Sequence, residues 1–175
     1  FENVLWSIGV HDIASALYLV GDSPTRVQMT GQNVLQPEIA DDIFVHMAFD
    51  NNVLVHIHCS WLWPVLRRQL TVVGEKGMLV FDEPSQSIRL HKKRIDENLA
   101  NVDEGEEIIF ENKGKALTLE LEHFLDCCKT RKTPITDGRS AVEVLRVMER
   151  AEVSASDLTT GKEILVEDVS SGVRI

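Results

Sequence analysis

The chain has no apolar run of membrane-spanning length, few aromatic residues and only three cysteines. Its apolar runs are strand-sized, which excludes a transmembrane helix from the reading. Phe1 is followed by no basic segment and no small-residue cleavage site, so no secretory signal is read. Cys59, Cys127 and Cys128 are an odd set with one adjacent pair and no Cys-x-x-Cys. That is not the framework of a secreted disulfide protein, and the expectation is reduced thiols in a cytoplasmic protein. There is no Gly-x-Gly-x-x-Gly, no P-loop, no Gly-x-Ser-x-Gly and no His-Glu-x-x-His, so the chain by itself carries no readable cofactor cradle. Basic residues are outnumbered 18 to 28, for a net charge of −10. This opposes general nucleic-acid binding, which needs a basic surface. One local basic spot for an anion stays compatible with it. An initiator methionine is also missing ahead of a motif-rich start, and the expectation is a chain that begins inside a longer protein.

What is present is an ordinary globular composition, 43% apolar and 26% charged over 175 residues. That suffices for one well-buried domain, read as residues 1–175. The spacing of Ile13, Ala16, Leu17 and Val20 predicts a helix over 8–20, with Gly21 as its C-cap. Residues 25–35 are strand-compatible, with Gly31 a candidate bulge. Residues 42–49 and 53–60 alternate cleanly about Asp50-Asn51-Asn52 and form the strongest hairpin signal. Strands are expected at 67–74 and 78–82 around a tight turn at Glu75–Gly77, and at 87–92 and 107–111. The acidic segment 94–106 reads as a solvated loop.

Two helices follow. The stripe Leu119, Phe124, Leu125 and Cys128 marks 116–131. Asp137 can cap the next, over about 138–157, with the stripe Ala141, Val144, Leu145, Met148 and Ala151. A last strand is expected at 163–166. Segregated elements of this kind predict an α+β fold: an open, largely antiparallel β-sheet with helices packed on one face. Apolar residues on both strand faces, such as Phe44 and Leu54 beside Val45 and Val55, predict that a partner subunit covers the second face.

Few residues have chemistry at a usable place. His11 follows Ser7-Ile8-Gly9-Val10 at the mouth of the first helix, and histidine is the side chain that takes and returns protons near neutral pH. The same local pattern fits a helix-start histidine with one backbone hydrogen bond. Asp12 fits a cap or a surface charge. His46, His56 and His58 can share one face of the hairpin and hold zinc, provided the register brings them together. With no further ligand evident, no metal is assigned. Trp61 and Trp63 beside Arg67 and Arg68 can stack on a ring and clamp a phosphate. They equally fit an aromatic plug with two solvated arginines. Cys127-Cys128 has only Lys129 beside it and reads as packing.

Three stretches together carry a resemblance: "LWSIGVHDI" at 5–13, "HIHCSWLWPVLRRQLTVVGEKGMLVFDE" at 56–83 and "LELEHFLDCCKTRKTPITDGRSAVEVLRVMERA" at 119–151. In order and content they resemble the C-terminal domain of the Gfo/Idh/MocA oxidoreductases, with the flavour of the branch acting on UDP-N-acetylated amino sugars. The resemblance covers nearly the whole chain. It implies NAD or NADP bound mainly by an N-terminal Rossmann domain outside this chain, which alone is then expected to be inactive. It implies a sugar or nucleotide-sugar substrate and a homodimer or homotetramer formed through the open sheet face. It also implies that His11 works with a lysine of the other domain in proton transfer at a sugar hydroxyl. Trp6, Ser7, Trp61, Arg67 and Arg68 become candidate substrate contacts. Many members carry an aspartate four residues before the histidine. Ser7 stands there in this chain and cannot serve as a charged partner. The competing expectation is a non-enzymatic assembly or sugar-binding domain.

Overall fold

The computed structural model describes residues 2–112 and 114–156. The expected strand at 163–166 lies outside the described residues. The α+β class and the antiparallel pairing are as expected, but the strands group into two sheets, of three and four strands. The segment 61–68, which contains Pro64, forms no strand between them. The chain correspondingly divides into two compact units, one of Phe1–Leu62 with Thr136–Ile175 and one of Trp63–Ile135.

The first unit opens with a π-helical turn, Leu5–Gly9, that runs directly into α1, Val10–Val20. Gly21 ends α1 as expected, at φ 73° in the left-handed region, its N–H donating to Leu17 O at 2.9 Å. The strands β1 (Arg26–Gln32), β2 (Asp42–Ala48) and β3 (Leu54–Ser60) form an antiparallel sheet in that order. The β2–β3 hairpin turns where the asparagines predict, with Asn52 at φ 61°. Gly31 is not a bulge: it sits in regular register opposite Ile43. A Cβ there would lie 2.8 Å from Ile43 Cγ2 and 2.9 Å from Asp42 O, so close strand approach is what the glycine serves.

The alternation in β2 and β3 sends Ile43, Val45, Met47, Ile57 and Cys59 inward. The last helix of this unit, Gly138–Ser156, packs Val144, Val147, Met148 and Ala151 against them, beside Leu5, Ile13 and Ala16. The stripe read from sequence is shifted by part of a turn: Val147 is buried, whereas Leu145 and Ala141 are exposed. Asp137 caps this helix, Oδ1 accepting from Arg139 N and Ser140 N at 3.0 and 2.8 Å. Arg150 ties it to the start of β1 by donating to Pro24 O and Thr25 O at 2.7 and 2.9 Å.

The second unit holds β4 (Gln69–Gly74), β5 (Gly77–Asp82), β6 (Ser87–Ile95) and β7 (Asn101–Glu111) as an antiparallel meander. It also holds α2, Ala116–Thr130; the helix of residues 138–156 is α3. Most of the expected loop 94–106 is in fact strand. Its acidic residues face basic ones across the β6–β7 hairpin: Arg89 and His91 on Glu106, Lys92 on Glu107, Lys93 on Asp103 and Arg94 on Glu104. Charge density made the segment look solvated, while opposite charges on facing strands favour pairing. Pairs this exposed to solvent add little to stability. In α2 the residues of the expected stripe are exposed, and the buried member is Cys127.

Candidate active site

His11 lies in the first turn of α1 with its ring exposed. Among the described residues its side chain makes no hydrogen bond. The turn ahead of it is held from three sides. Asn3 Oδ1 accepts from Leu5 N and Trp6 N at 3.1 and 3.3 Å, capping the π-helical turn. Glu152, on α3, receives the Trp6 indole N–H at 2.7 Å and the Asn3 amide at 2.9 Å on the same oxygen. Ser7 Oγ accepts the Trp61 indole N–H at 3.1 Å. Gly9 is buried against Leu5 and Cys59, where a Cβ would come within 3.1 Å of Leu5 Cδ1. Leu5 and Val4 are fully buried beneath. The exposed imidazole thus stands on a short segment whose backbone is fixed by buried apolar contacts and polar clasps. Single-turn π segments of this sort recur at functional sites.

Three of the candidate substrate contacts, Trp6, Ser7 and Trp61, are brought together around this turn. Ser7 is committed to Trp61. Arg67 and Arg68 belong to the other unit and have partners there. The Arg67 guanidinium lies 5.6 Å from the Trp63 ring centroid, and Arg68 pairs with Glu83 at 3.0 Å.

The sequence reading missed Asn3, Glu152 and Asp41. Asn3, two residues before the turn, is an ordinary cap signal that was readable. Glu152 was not, because its partners are about 150 residues away. Asp41 is fully buried just before β2. Its Oδ2 accepts from Val34 N and Leu35 N at 2.8 and 2.6 Å and so holds the 33–40 loop.

Asp12 is neither a cap nor a bare surface charge, for its Oδ2 accepts the Cys59 thiol at 3.4 Å. Burial, reinforced by the neighbouring Asp12 carboxylate, pushes the Cys59 thiol up from 9.0 to about 12. Cys59 is therefore a protonated packing group. The folded protein keeps this proton where the unfolded chain loses it, so stability is expected to fall as pH rises from 9 towards 12, by at most roughly 4 kcal/mol. Urea unfolding of the protein and of Cys59→Ala across that range checks it. Equal slopes for the two proteins would remove the assignment.

The three strand histidines separate into two groups. His46 and His56 are direct cross-strand partners with Nδ1 atoms 2.7 Å apart. His58 instead pairs with Asp42 at 2.9 Å and stacks on Phe44 with ring centroids 4.1 Å apart. Burial tends to raise the Asp42 carboxyl, but hydrogen bonds from His58, Ser60 and Gln32 prevail and hold it below the ordinary carboxylate value. Among the described residues no group of three or more His, Cys, Asp or Glu could hold a metal ion. No described helix is long and apolar enough to cross a membrane. Cys127 is less isolated than its sequence neighbours imply, since His123 Nε2 lies 3.6 Å from its sulfur.

Residues 2–80 match the model of the GFO/IDH/MocA C-terminal domain. No curated protein matches the chain. Among solved structures, UDP-N-acetylglucosamine 3-dehydrogenase from Acidithiobacillus ferrooxidans is similar at 19% identity and a TM-score of 0.76, over 89% of this chain and 48% of that one. Aldose-aldose oxidoreductase from Caulobacter crescentus, solved with glycerol, aligns at 21% identity and a TM-score of 0.70, covering 89% of this chain and 46% of that one. An NAD binding oxidoreductase from Klebsiella pneumoniae aligns at 15% identity and 0.73, covering 90% and 50%. The chain spans about half the length of these structures. Residues 2–80 therefore belong to the GFO/IDH/MocA C-terminal domain, and the chain around them carries the fold these oxidoreductases share.

Proposed function

We propose that this chain is the substrate-binding and assembly domain of a nicotinamide-dependent oxidoreductase acting on a sugar or nucleotide-sugar hydroxyl, with His11 as its proton-transfer group. The observation that carries the reading is the exposed His11 ring in the first turn of α1, directly after the clasped turn that holds Trp6 and Ser7. All of this lies inside the segment that matches the family. His11 exchanges a proton with the substrate hydroxyl. Trp6 and Trp61 offer amphipathic ring faces for a sugar, with their indole N–H groups already engaged. Arg67 and Arg68 are the candidate cations for a diphosphate.

The described residues do not fit a dinucleotide. Both sheets are antiparallel, and no described strand–turn–helix carries a glycine-rich phosphate cradle. The reading assigns NAD or NADP to a separate Rossmann domain. Exposed apolar strand residues, Phe44 and Leu54 in one unit and Ile108 and Phe110 in the other, support assembly as a homodimer or homotetramer. The test is nicotinamide reduction by the full-length protein, with NAD or NADP and a panel of free and UDP-linked aldoses and N-acetylhexosamines. One sugar class is expected to give turnover. Absence of reduction with every member would overturn the reading.

A further inference from the structure

The outward face of the first sheet carries a histidine pair that the proposed reaction does not use. Alternation puts Phe44, His46, Leu54 and His56 on that face, with Arg26 towards one end and Asp42 towards the other. His46 and His56 are directly opposite across β2 and β3, Nδ1 to Nδ1 at 2.7 Å. Two ring nitrogens this close need one proton between them, one ring donating and the other accepting. A proton on both Nδ1 atoms would set two donors and two like charges against each other.

The assembly reading covers this face with a second copy through Phe44 and Leu54. The placement of charge agrees with that occupant. A contact between two copies of one face is isologous. A two-fold axis running across the strands sets the Arg26 end of one copy over the Asp42 end of the other, at both ends of the contact. Covering the face also changes what the histidines tolerate. Among the described strand residues of this face the only carboxylate is Asp42, which is held by His58 at 2.9 Å. A proton added to His58 therefore arrives beside a carboxylate. The His46–His56 pair has no such neighbour, and the cation Arg26 lines the same shallow depression. Charge added to the pair under a partner copy is uncompensated, and keeping it from water costs free energy.

We propose, on the assembly part of the function proposed above, that the His46–His56 pair makes the contact between two copies of this chain acid-labile. The copies associate through the first sheet while the pair is neutral and separate when it is protonated. In a separated copy the face is open to water, the rings can swing apart and both can take up protons. Separation thus binds protons, and falling pH favours it. Histidine is the side chain that changes charge between about pH 5 and 8, which sets the window.

The test is sedimentation velocity of the full-length protein at pH 7.5 and 5.5, with circular dichroism at both to follow the fold. An oligomer is expected at pH 7.5. At pH 5.5 its dissociation constant is expected to be at least about 100-fold weaker, as follows when each of two copies takes up one proton over one pH unit. In the His46→Gln/His56→Gln double variant the constant is expected to change less than about threefold over the same interval. His58→Gln is expected to keep the acid response. Equal association of the unsubstituted protein at both pH values overturns the switch and leaves the assembly reading standing. A protein monomeric at pH 7.5 overturns both. An undiminished acid response in the double variant overturns the switch, as does dissociation accompanied by loss of the folded spectrum, since unfolding would then be the cause. Nicotinamide reduction is measured separately, so its absence strikes the catalytic reading and not this one.

Discussion

Replacing His11 by alanine in the full-length protein is expected to lower kcat by roughly 10²–10⁴-fold, the range lost with a general acid–base group. KM is expected to move little, because a proton-transfer group acts in the transition state more than in substrate binding. The fold gives this test unusual clarity. His11 is exposed and its side chain holds no hydrogen bond among the described residues, so its removal takes away no packing. Alanine also favours a helix more than histidine does, and the melting temperature should hold or rise slightly. A near-normal kcat with unchanged stability would end the catalytic assignment. A large loss accompanied by lower stability would show a structural role instead. Added imidazole gives a second readout: partial recovery of turnover in His11→Ala is expected if the missing function is a proton carrier. Ser7 Oγ already accepts the Trp61 indole N–H at 3.1 Å.

Local signals in the sequence were legible, and distant ones were not. The Asn51-Asn52 turn, the Gly21 cap and the Asp137 cap are each decided by residues within one turn of the chain, and the structure has all three. The inward set of β2 and β3 follows from strict alternation alone. The acidic run near 103–107 was misread because polarity along one strand resembles a solvated loop until its basic partner strand is known. The two-sheet division was equally hidden, since hairpin-linked strands read alike whether or not pairing continues from β3 to β4. At the candidate site His11 stands out by its place at a helix mouth, and its proposed role comes from the family resemblance. The means of holding it does not stand out, because Glu152 reaches Trp6 and Asn3 from the far end of the unit's sequence. The histidine trio split on register. A direct His46–His56 pair and a separate His58–Asp42 pair depend on pairing that composition cannot fix.

That long-range clasp is where a second large effect is expected. Glu152→Ala removes the acceptor for two donors at once, the Trp6 indole at 2.7 Å and the Asn3 amide at 2.9 Å. Each is a hydrogen bond to a charged acceptor in a half-buried place, and their joint loss is expected to cost about 2–3 kcal/mol of stability. The effect should reach further than stability. Asn3 also caps the π-helical turn through its Oδ1, so freeing its amide loosens the segment that presents His11. Turnover is expected to fall with it, since small misplacements of a catalytic group cost rate steeply. Glu152→Gln separates charge from geometry. The amide oxygen can still accept from both donors, so this variant should keep most of the stability and most of the turnover. If Glu152→Gln fell as far as Glu152→Ala, the carboxylate charge would be the active ingredient and the clasp would not be the explanation. If neither variant changed chemical denaturation or kcat, the Trp6–Asn3–Glu152 contact would be incidental to the turn, and the rigidity of the His11 segment would rest on Val4, Leu5 and Gly9 alone.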